Sequence, residues 1–294
     1  MYMATTMRKQ IAQNKRNTIL IIIVFVAFIS LIGGIFAWIY NRPGILITVA
    51  IVAAAYAFIQ YFFADRIALM GTGARQIEKT ENPRYYKIIE QLASENNLPM
   101  PKVYIMDEPA PNAFATGRDP AHSCVAATSG LLEIMDDKEL KAVMAHEMSH
   151  VKNYDIRVGM IVFGLAAVVG MISDLGLRML FWNNRDEEDN SPVGVLFALF
   201  TIILAPIVAT MIRLAVSRQR EYLADASAAS MTSNDDMINA LRKLDTHHRP
   251  MRQQNVAAEA LFIDGPLKKS VISKLFATHP SLDARIERLE NGKK

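Results

Sequence analysis

The sequence predicts a mainly α, α+β fold in which multi-pass membrane helices carry a water-facing domain containing a small β-sheet. Three observations predict it. Hydrophobic residues make up 51% of the 294-residue chain while charged residues still reach 21%, and the mean hydropathy is +0.16, a mixture that suits a chain divided between lipid and water. The apolar residues gather into four long stretches. Between and after them lie short strand-like runs and helical patterns with recognisable starts.

The first apolar stretch, roughly Thr18 to Tyr40, carries no charge, and the second runs from about Gly44 to Ala64. Each matches the ~20 residues that cross a hydrocarbon core as a helix. Trp38, Tyr40, Tyr61 and Phe62 sit near the ends, where an interfacial belt would place them. "NRP" at Asn41 to Pro43 is a tight connection, so the pair forms a hairpin. A cleaved signal peptide is the competing reading, since Arg8, Lys9, Lys15 and Arg16 give a basic start. The apolar run is longer than the roughly 7–15 residues of a signal, and no clear small-residue cleavage site follows.

The third stretch, about Val158 to Trp182, is interrupted by Asp174 and Arg178. The fourth, about Val193 to Ile212, contains Pro206, which a membrane helix tolerates. Buried core helices of a soluble domain are the alternative for both. Basic residues precede the first span (Arg8, Lys9, Lys15, Arg16) and follow the second (Arg66, Arg75, Lys79) and the fourth (Arg213, Arg218, Arg220), whereas "NNRDEEDNS" between the third and fourth is acidic. By the positive-inside rule the basic side is cytoplasmic. The expected organisation is an N-terminal tail and membrane hairpin over 1–64, cytoplasmic regions over 65–157 and 213–294, and a second hydrophobic hairpin over 158–212. The two polar regions then meet in one compartment.

In the first polar region, "NPRYYKIIEQLASENN" reads as a helix with Pro83 early, where proline is tolerated. "KVYIMD", "NAFATG" and "HSCVAAT" read as strands. "DDKELKAVMAHEMSHVKN" reads as a helix with an acidic first turn. The second region reads as three helices, "SRQREYLADASAASM", "NDDMINALRKLDTHH" and "PSLDARIERLE". No phosphate-loop spacing, internal repeat or low-complexity tract is present. The net charge of +3 and the lack of a basic stripe with interleaved aromatics exclude a nucleic-acid partner. The single cysteine, Cys124, excludes an intrachain disulfide and fits a reducing compartment.

The chemistry concentrates in "HEMSH". Residues four apart share a helical face, so His146 and His150 can aim two imidazole nitrogens at one point. That is a zinc-binding arrangement, and Glu147 beside them can act as general base towards a water held there. A helix that merely carries two histidines is the alternative. A site of this kind needs a third protein ligand, and "REYLADASAA" offers Glu221 and Asp225, again four apart. Taken alone, that pair reads as ordinary surface acids beside Arg218 and Arg220. His122 and Cys124 share a strand face, so a thiol–imidazole pair is conceivable, though a small buried cysteine is the simpler reading. His247 and His248 read as cations at a helix end.

"HEMSHVKNYD" followed by "REYLADASAA" resembles the HtpX-type membrane zinc metallopeptidases, relatives of the CAAX prenyl endopeptidases. "NAFATG", "THPSLDARIERL" and the two leading spans are similar too, so the resemblance covers nearly the whole chain. It implies a zincin-like metallopeptidase domain on the cytoplasmic side and one Zn2+ per subunit, held by His146, His150 and Glu221, with Glu147 as general base. Asp225 would support a ligand histidine; Asp155 would do likewise or cap the next helix. Asn112, Ala113, Phe114 and Ala115 would form the edge strand on which an extended peptide lies, an internal strand being the alternative. His279 would donate to the oxyanion or simply form a turn, and Arg285 would support it. The implied protein is a stress-response endopeptidase of the cell (plasma) membrane. Its partners would be the lipid bilayer and substrate proteins, membrane-bound and cytoplasmic, with quality control of membrane proteins as its role. A narrow-specificity processing peptidase would call for an enclosed chamber, which four spans are too few to build. A non-catalytic membrane scaffold with a metal site would have no use for Glu147.

Overall fold

The computed structural model describes residues 2–162, 165, 218–252, 262–263 and 280–291. The third apolar stretch is described only over 158–162 and at 165; the fourth lies outside the described residues, as does His279.

Two long helices open the chain, α1 (Tyr2–Ile39) and α2 (Gly44–Gly71). Both outrun the apolar stretches that announce them. The N-terminal segment expected as a tail is helical from Tyr2, because no glycine or proline interrupts it before the apolar run begins. The helices turn on Asn41, whose φ of 52° is left-handed, and Arg42 N–H donates to Ala37 O at 2.8 Å to close α1. Gly33 lets the pair approach closely, since a Cβ there would lie 2.7 Å from that of Val49. Within each apolar window only 17% of the surface is buried, and Trp38, Ile47, Ile51 and Phe58 point outward. Helices so apolar and so exposed fit lipid better than a protein core.

The water-facing part is built on one four-stranded mixed sheet in the order β1-β2-β4-β3. Strand β1 (Arg75–Gln76) pairs antiparallel with β2 (Lys102–Met106), β2 runs parallel to β4 (Ser123–Thr128), and β4 is antiparallel to β3 (Ala113–Gly117). Strands β3 and β4 are buried throughout. On one face Ala113, Ala115, Val125 and Ala127 join the main core. On the other, Phe114, Cys124 and Ala126 pack against Ala68 and Leu69 at the end of α2. The membrane hairpin is thus docked directly on the sheet. Gly117 ends β3 with φ 138°, and a Cβ there would meet His122 O at 2.3 Å, so the β3–β4 hairpin requires glycine.

Helices α3 (Pro83–Glu95), α5 (Asp137–Lys152), α6 (Arg218–Met231), α7 (Asn234–Thr246) and α8 (Leu282–Asn291) supply the core on the first face, with a short α4 (Ser129–Ile134) after β4. Local signals set their starts: Asn82 caps α3 with Pro83 next, Thr128 caps α4, and Ser233 caps α7. Strand β1 and α4 are elements the sequence pattern did not reveal, and a helical segment over 155–162 starts a few residues before the third apolar stretch expected from about Val158. The first two are too short to show a period of their own.

Helix α5 is the central one, buried from Leu140 and from Ala142 through Ser149. Asp136 begins it with a complete capping box: its carboxylate accepts from Lys138 N and Glu139 N at 2.9 Å, and Glu139 accepts from Asp136 N at 2.9 Å. Those hydrogen bonds hold the Asp136 carboxyl below its ordinary value. Replacing Asp136 by Ala should therefore destabilise the protein by about 1 kcal/mol in denaturant titrations at neutral pH. The deficit should be whole above the unfolded carboxyl value and should vanish as pH falls through the lower folded one.

Candidate metal centre

His146 and His150 lie one turn apart on α5, as their spacing requires. Their rings stand at 86° to each other with Nε2 atoms 3.1 Å apart. Glu221, from the first turn of α6, faces both: Oε2 is 3.6 Å from His146 Nε2 and Oε1 is 3.6 Å from His150 Nε2. The three ligand atoms lie within 4.8 Å of one another. A tetrahedral ion about 2.0–2.1 Å from its nitrogen ligands separates them by about 3.3 Å, so this triangle has the size such an ion requires.

Both imidazoles are backed by carboxylates. His146 Nδ1 lies 2.9 Å from Asp225 Oδ1, and His150 Nδ1 lies 3.1 Å from Asp155 Oδ2. Each ring therefore carries its proton on Nδ1 and turns Nε2 towards Glu221. Asp155 sits past the turn that ends α5, where Tyr154 takes a left-handed φ of 61° and folds the chain back onto His150. Asp225 lies one turn beyond Glu221 on α6, so one face of that helix serves both purposes.

Asp225 is gripped in turn by Arg285 of α8, through Nε at 2.9 Å and Nη2 at 2.6 Å. Arg285 Nη2 also approaches His146 Nδ1 at 3.3 Å, but that nitrogen already donates to Asp225 and has no lone pair to offer. Arg285 Nη1 donates to Ile263 O at 3.3 Å. The guanidinium is fully buried, and burial opposes its charge; the Asp225 carboxylate more than restores it.

The charges set the protonation states of the metal-free protein. Burial pushes the Asp225 carboxyl up, yet Arg285 and His146 hold it down at about 2. Burial and Arg285 oppose the charged form of His146, but Asp225 and Glu221 raise it. Burial likewise opposes His150, and Glu221, Asp155 and Glu147 together raise it to about 9. Among the described residues, four buried carboxylates (Glu147, Glu221, Asp225, Asp155) face two buried guanidiniums (Arg220, Arg285). The two negative charges left over match one divalent cation between neutral imidazoles.

Among the described residues, strand β3 stands at the sheet edge. Thr128 N–H donates to Asn112 O at 3.0 Å, so by antiparallel alternation the main-chain groups of Ala113 and Ala115 face away from β4. Ala113 O already accepts from Ile263 N at 3.0 Å. Asn112 sits just before the strand, buried, with its Nδ2 3.7 Å from Met251 Sδ. The supposed His122–Cys124 pair is not formed. His122 belongs to a 3-10 turn (Pro120–His122) rather than to β4, and its Nδ1 lies 2.7 Å from Asp119 Oδ1. Burial and the charge of Asp65 push the Cys124 thiol up to about 12, so it is a packing residue.

Sequence reasoning missed Asn14, Arg220 and Ile263 around this centre. Nothing in their types or spacing signals a site; only the three-dimensional meeting of distant segments reveals them.

Residues 79–293, well over half of the chain, match the model of peptidase family M48. The chain is 50% identical over 281 residues to the Protease HtpX homolog of Tropheryma whipplei (strain Twist), covering 95% of this chain and 96% of that protein. It is 42% identical over 291 residues to the Protease HtpX homolog of Streptococcus gordonii, covering 96% and 98%. The crystal structure of S. mikatae Ste24p aligns with 92% of this chain and 62% of that one at 22% identity and a TM-score of 0.49, a likeness that by itself decides nothing. With a family match over residues 79–293 and relatives this similar along nearly its full length, the chain belongs to peptidase family M48 and is a protease.

Proposed function

We propose that the protein is a membrane-integrated, zinc-dependent endopeptidase. The observation that carries the reading is the largely buried triangle of His146, His150 and Glu221 with Glu147 next to the first ligand. Two imidazoles and one carboxylate form the donor set of a catalytic zinc site, which leaves a fourth position open. Zinc, when bound, would polarise the scissile carbonyl and acidify water at that position.

The protein's own groups supply the rest. Glu147 takes the proton of the attacking water and delivers it to the leaving amine, so the same carboxylate serves as base and then as acid. Asp225 and Asp155 hold the ligand rings in the tautomer that presents Nε2. The outward main-chain groups of Ala115, continuing the edge that Ala113 shares with Ile263, offer an extended peptide a strand to pair with. An oxyanion donor is assigned to His279 by resemblance alone. The basic residues around Lys15, Arg66, Arg75 and Arg220 favour a cytoplasmic catalytic domain. Docking of α2 on the sheet favours a domain held close to the bilayer, which suits membrane proteins as substrates and a role in their quality control.

The deciding comparison uses wild type and Glu147→Gln, purified in detergent, with casein as substrate and bound metal determined in both. Zinc should be present in both proteins, with cleavage falling by about 10²–10⁴-fold or more in the variant. Equal cleavage by the two would discard Glu147 as the base. Zinc without cleavage by the wild type would favour a scaffold or a narrow processing enzyme.

Metal uptake should also depend on pH. His150 is protonated below about pH 9 in the metal-free protein, and an imidazole must be neutral to bind zinc. Zinc affinity should rise with pH while His146 and His150 are losing their protons and level off once both are neutral, with protons released on binding. Without metal the trend reverses. His150 holds its proton more tightly folded than unfolded, so its stabilisation is whole below 6.5 and fades as pH rises through about 9. Chelator competition and thermal melting across pH 6–10 measure the two together.

A further inference from the structure

We infer that Asn14 of α1 is a positioning residue of the metal centre: with Arg220 it holds Asp155 in the orientation that fixes His150. The inference rests on the zinc-site reading above. Asn14 lies one turn before the first apolar stretch and is only 2% exposed. Asparagine is a poor choice for the interior of a long helix on propensity alone, and a buried amide is costly unless both its ends are used.

Both ends are used. Asn14 Nδ2 donates to Asp155 Oδ1 at 2.6 Å and to Asn153 O at 2.9 Å. Asn14 Oδ1 accepts from Arg220 Nη1 at 3.2 Å, and the same Nη1 lies 3.5 Å from Asp155 Oδ1. Gln10, one turn earlier on α1, donates to that oxygen at 3.4 Å. The Asp155 carboxylate is thereby divided: Oδ1 is taken by α1 and Arg220, and Oδ2 is left for His150 Nδ1 at 3.1 Å. Asp225 is held behind His146 by Arg285 alone among the described residues. Asp155 is held by an arginine together with the neutral amide of the first membrane helix.

Asparagine suits the place because a side chain of that size must donate to a carboxylate and accept from a guanidinium at once. Aspartate would set two carboxylates against each other, and leucine would leave Asp155 without its shortest donor. Helix α1 is thus part of the ligand support as well as a membrane anchor.

The test is a double-mutant cycle on the full-length protein in detergent. The zinc dissociation constant of wild type, Asn14→Leu, Asp155→Ala and the double variant is read by chelator competition, with the melting of each metal-free form. Loss of a partner that orients a metal ligand weakens metal binding by about 10–100-fold, so Asn14→Leu should weaken zinc about tenfold. On the Asp155→Ala background it should add less than about twofold, because its route to the metal is already cut. Asn14→Asp, matched in size, should weaken zinc likewise and serves in place of Asn14→Leu if that variant does not fold. Wild-type affinity in both Asn14 variants would overturn the inference. So would an equal loss with and without Asp155, which would mean that Asn14 acts through general packing. A wild type that binds no zinc would sink the functional reading itself, and the inference with it.

Discussion

The structure depends on burying a cluster of charges that no single helix could neutralise. Glu147, Glu221, Asp225, Asp155, Arg220 and Arg285 are all nearly removed from water, with His146 among them. An unpaired ion in such a place costs several kcal/mol, and an incomplete network costs more than an apolar core would. Each group must therefore find its partner, and the partners come from α1, α5, α6, α8 and the turn after α5. Packing these elements together is the condition for the cluster to exist. The cluster in turn fixes how they pack.

This reciprocity explains the use of distant sequence. Arg285 meets Asp225 across 60 residues and His146 across 139, while Asn14 meets Asp155 across 141 and Arg220 across 206. The two ligand histidines need nothing beyond the helical repeat to face the same way. Holding their rings still needs carboxylates behind them, and holding those carboxylates needs donors from near the two ends of the chain. The geometry of the centre thus reports the integrity of the whole fold. Burial makes each donor costly to lose, since a polar group left unpaired away from water is penalised.

What was legible in the sequence follows from this division. The His146–Glu147–His150 spacing and the Glu221–Asp225 pair are local patterns, as are the early Pro83 of α3 and the acidic first turn of α5, and each can be read from a few consecutive residues. The strands Lys102–Met106, Ala113–Gly117 and Ser123–Thr128 are legible as short β-branched or apolar runs between turns. Asn14 is not legible, because one asparagine in a polar segment before a membrane span looks like solvent-facing sequence. Arg285 is legible as a candidate only through resemblance; its grip on Asp225 is a fact of packing. His122 and Cys124 show the opposite failure. Alternation along a strand suggests a pair, but the strand begins one residue later, at Ser123, and Asp119 takes the imidazole. A residue just outside a strand is not bound by its alternation, so the turn at Pro120–His122 sets the direction of the His122 ring.

The same coupling joins the metal centre to the strand where a peptide would lie. Ile263 donates its N–H to Ala113 O on the outer edge of β3, and its carbonyl accepts from Arg285 Nη1. One residue thus touches the outer edge of β3 with one main-chain group and the guanidinium behind His146 with the other. Phe262 beside it stacks edge-on against Phe114 at 5.2 Å, which pins the connection from the far face of the sheet. A peptide bond is cleaved efficiently only if its carbonyl is presented to the metal and the base at a fixed distance, and errors of about 1 Å can cost about a hundredfold. A floppy link between strand and helix α5 would lose that precision. The Ala113–Ile263–Arg285–Asp225–His146 chain supplies a continuous link of buried hydrogen bonds. The edge of β3 and the ligand on α5 are consequently parts of one framework, although they come from different secondary-structure elements.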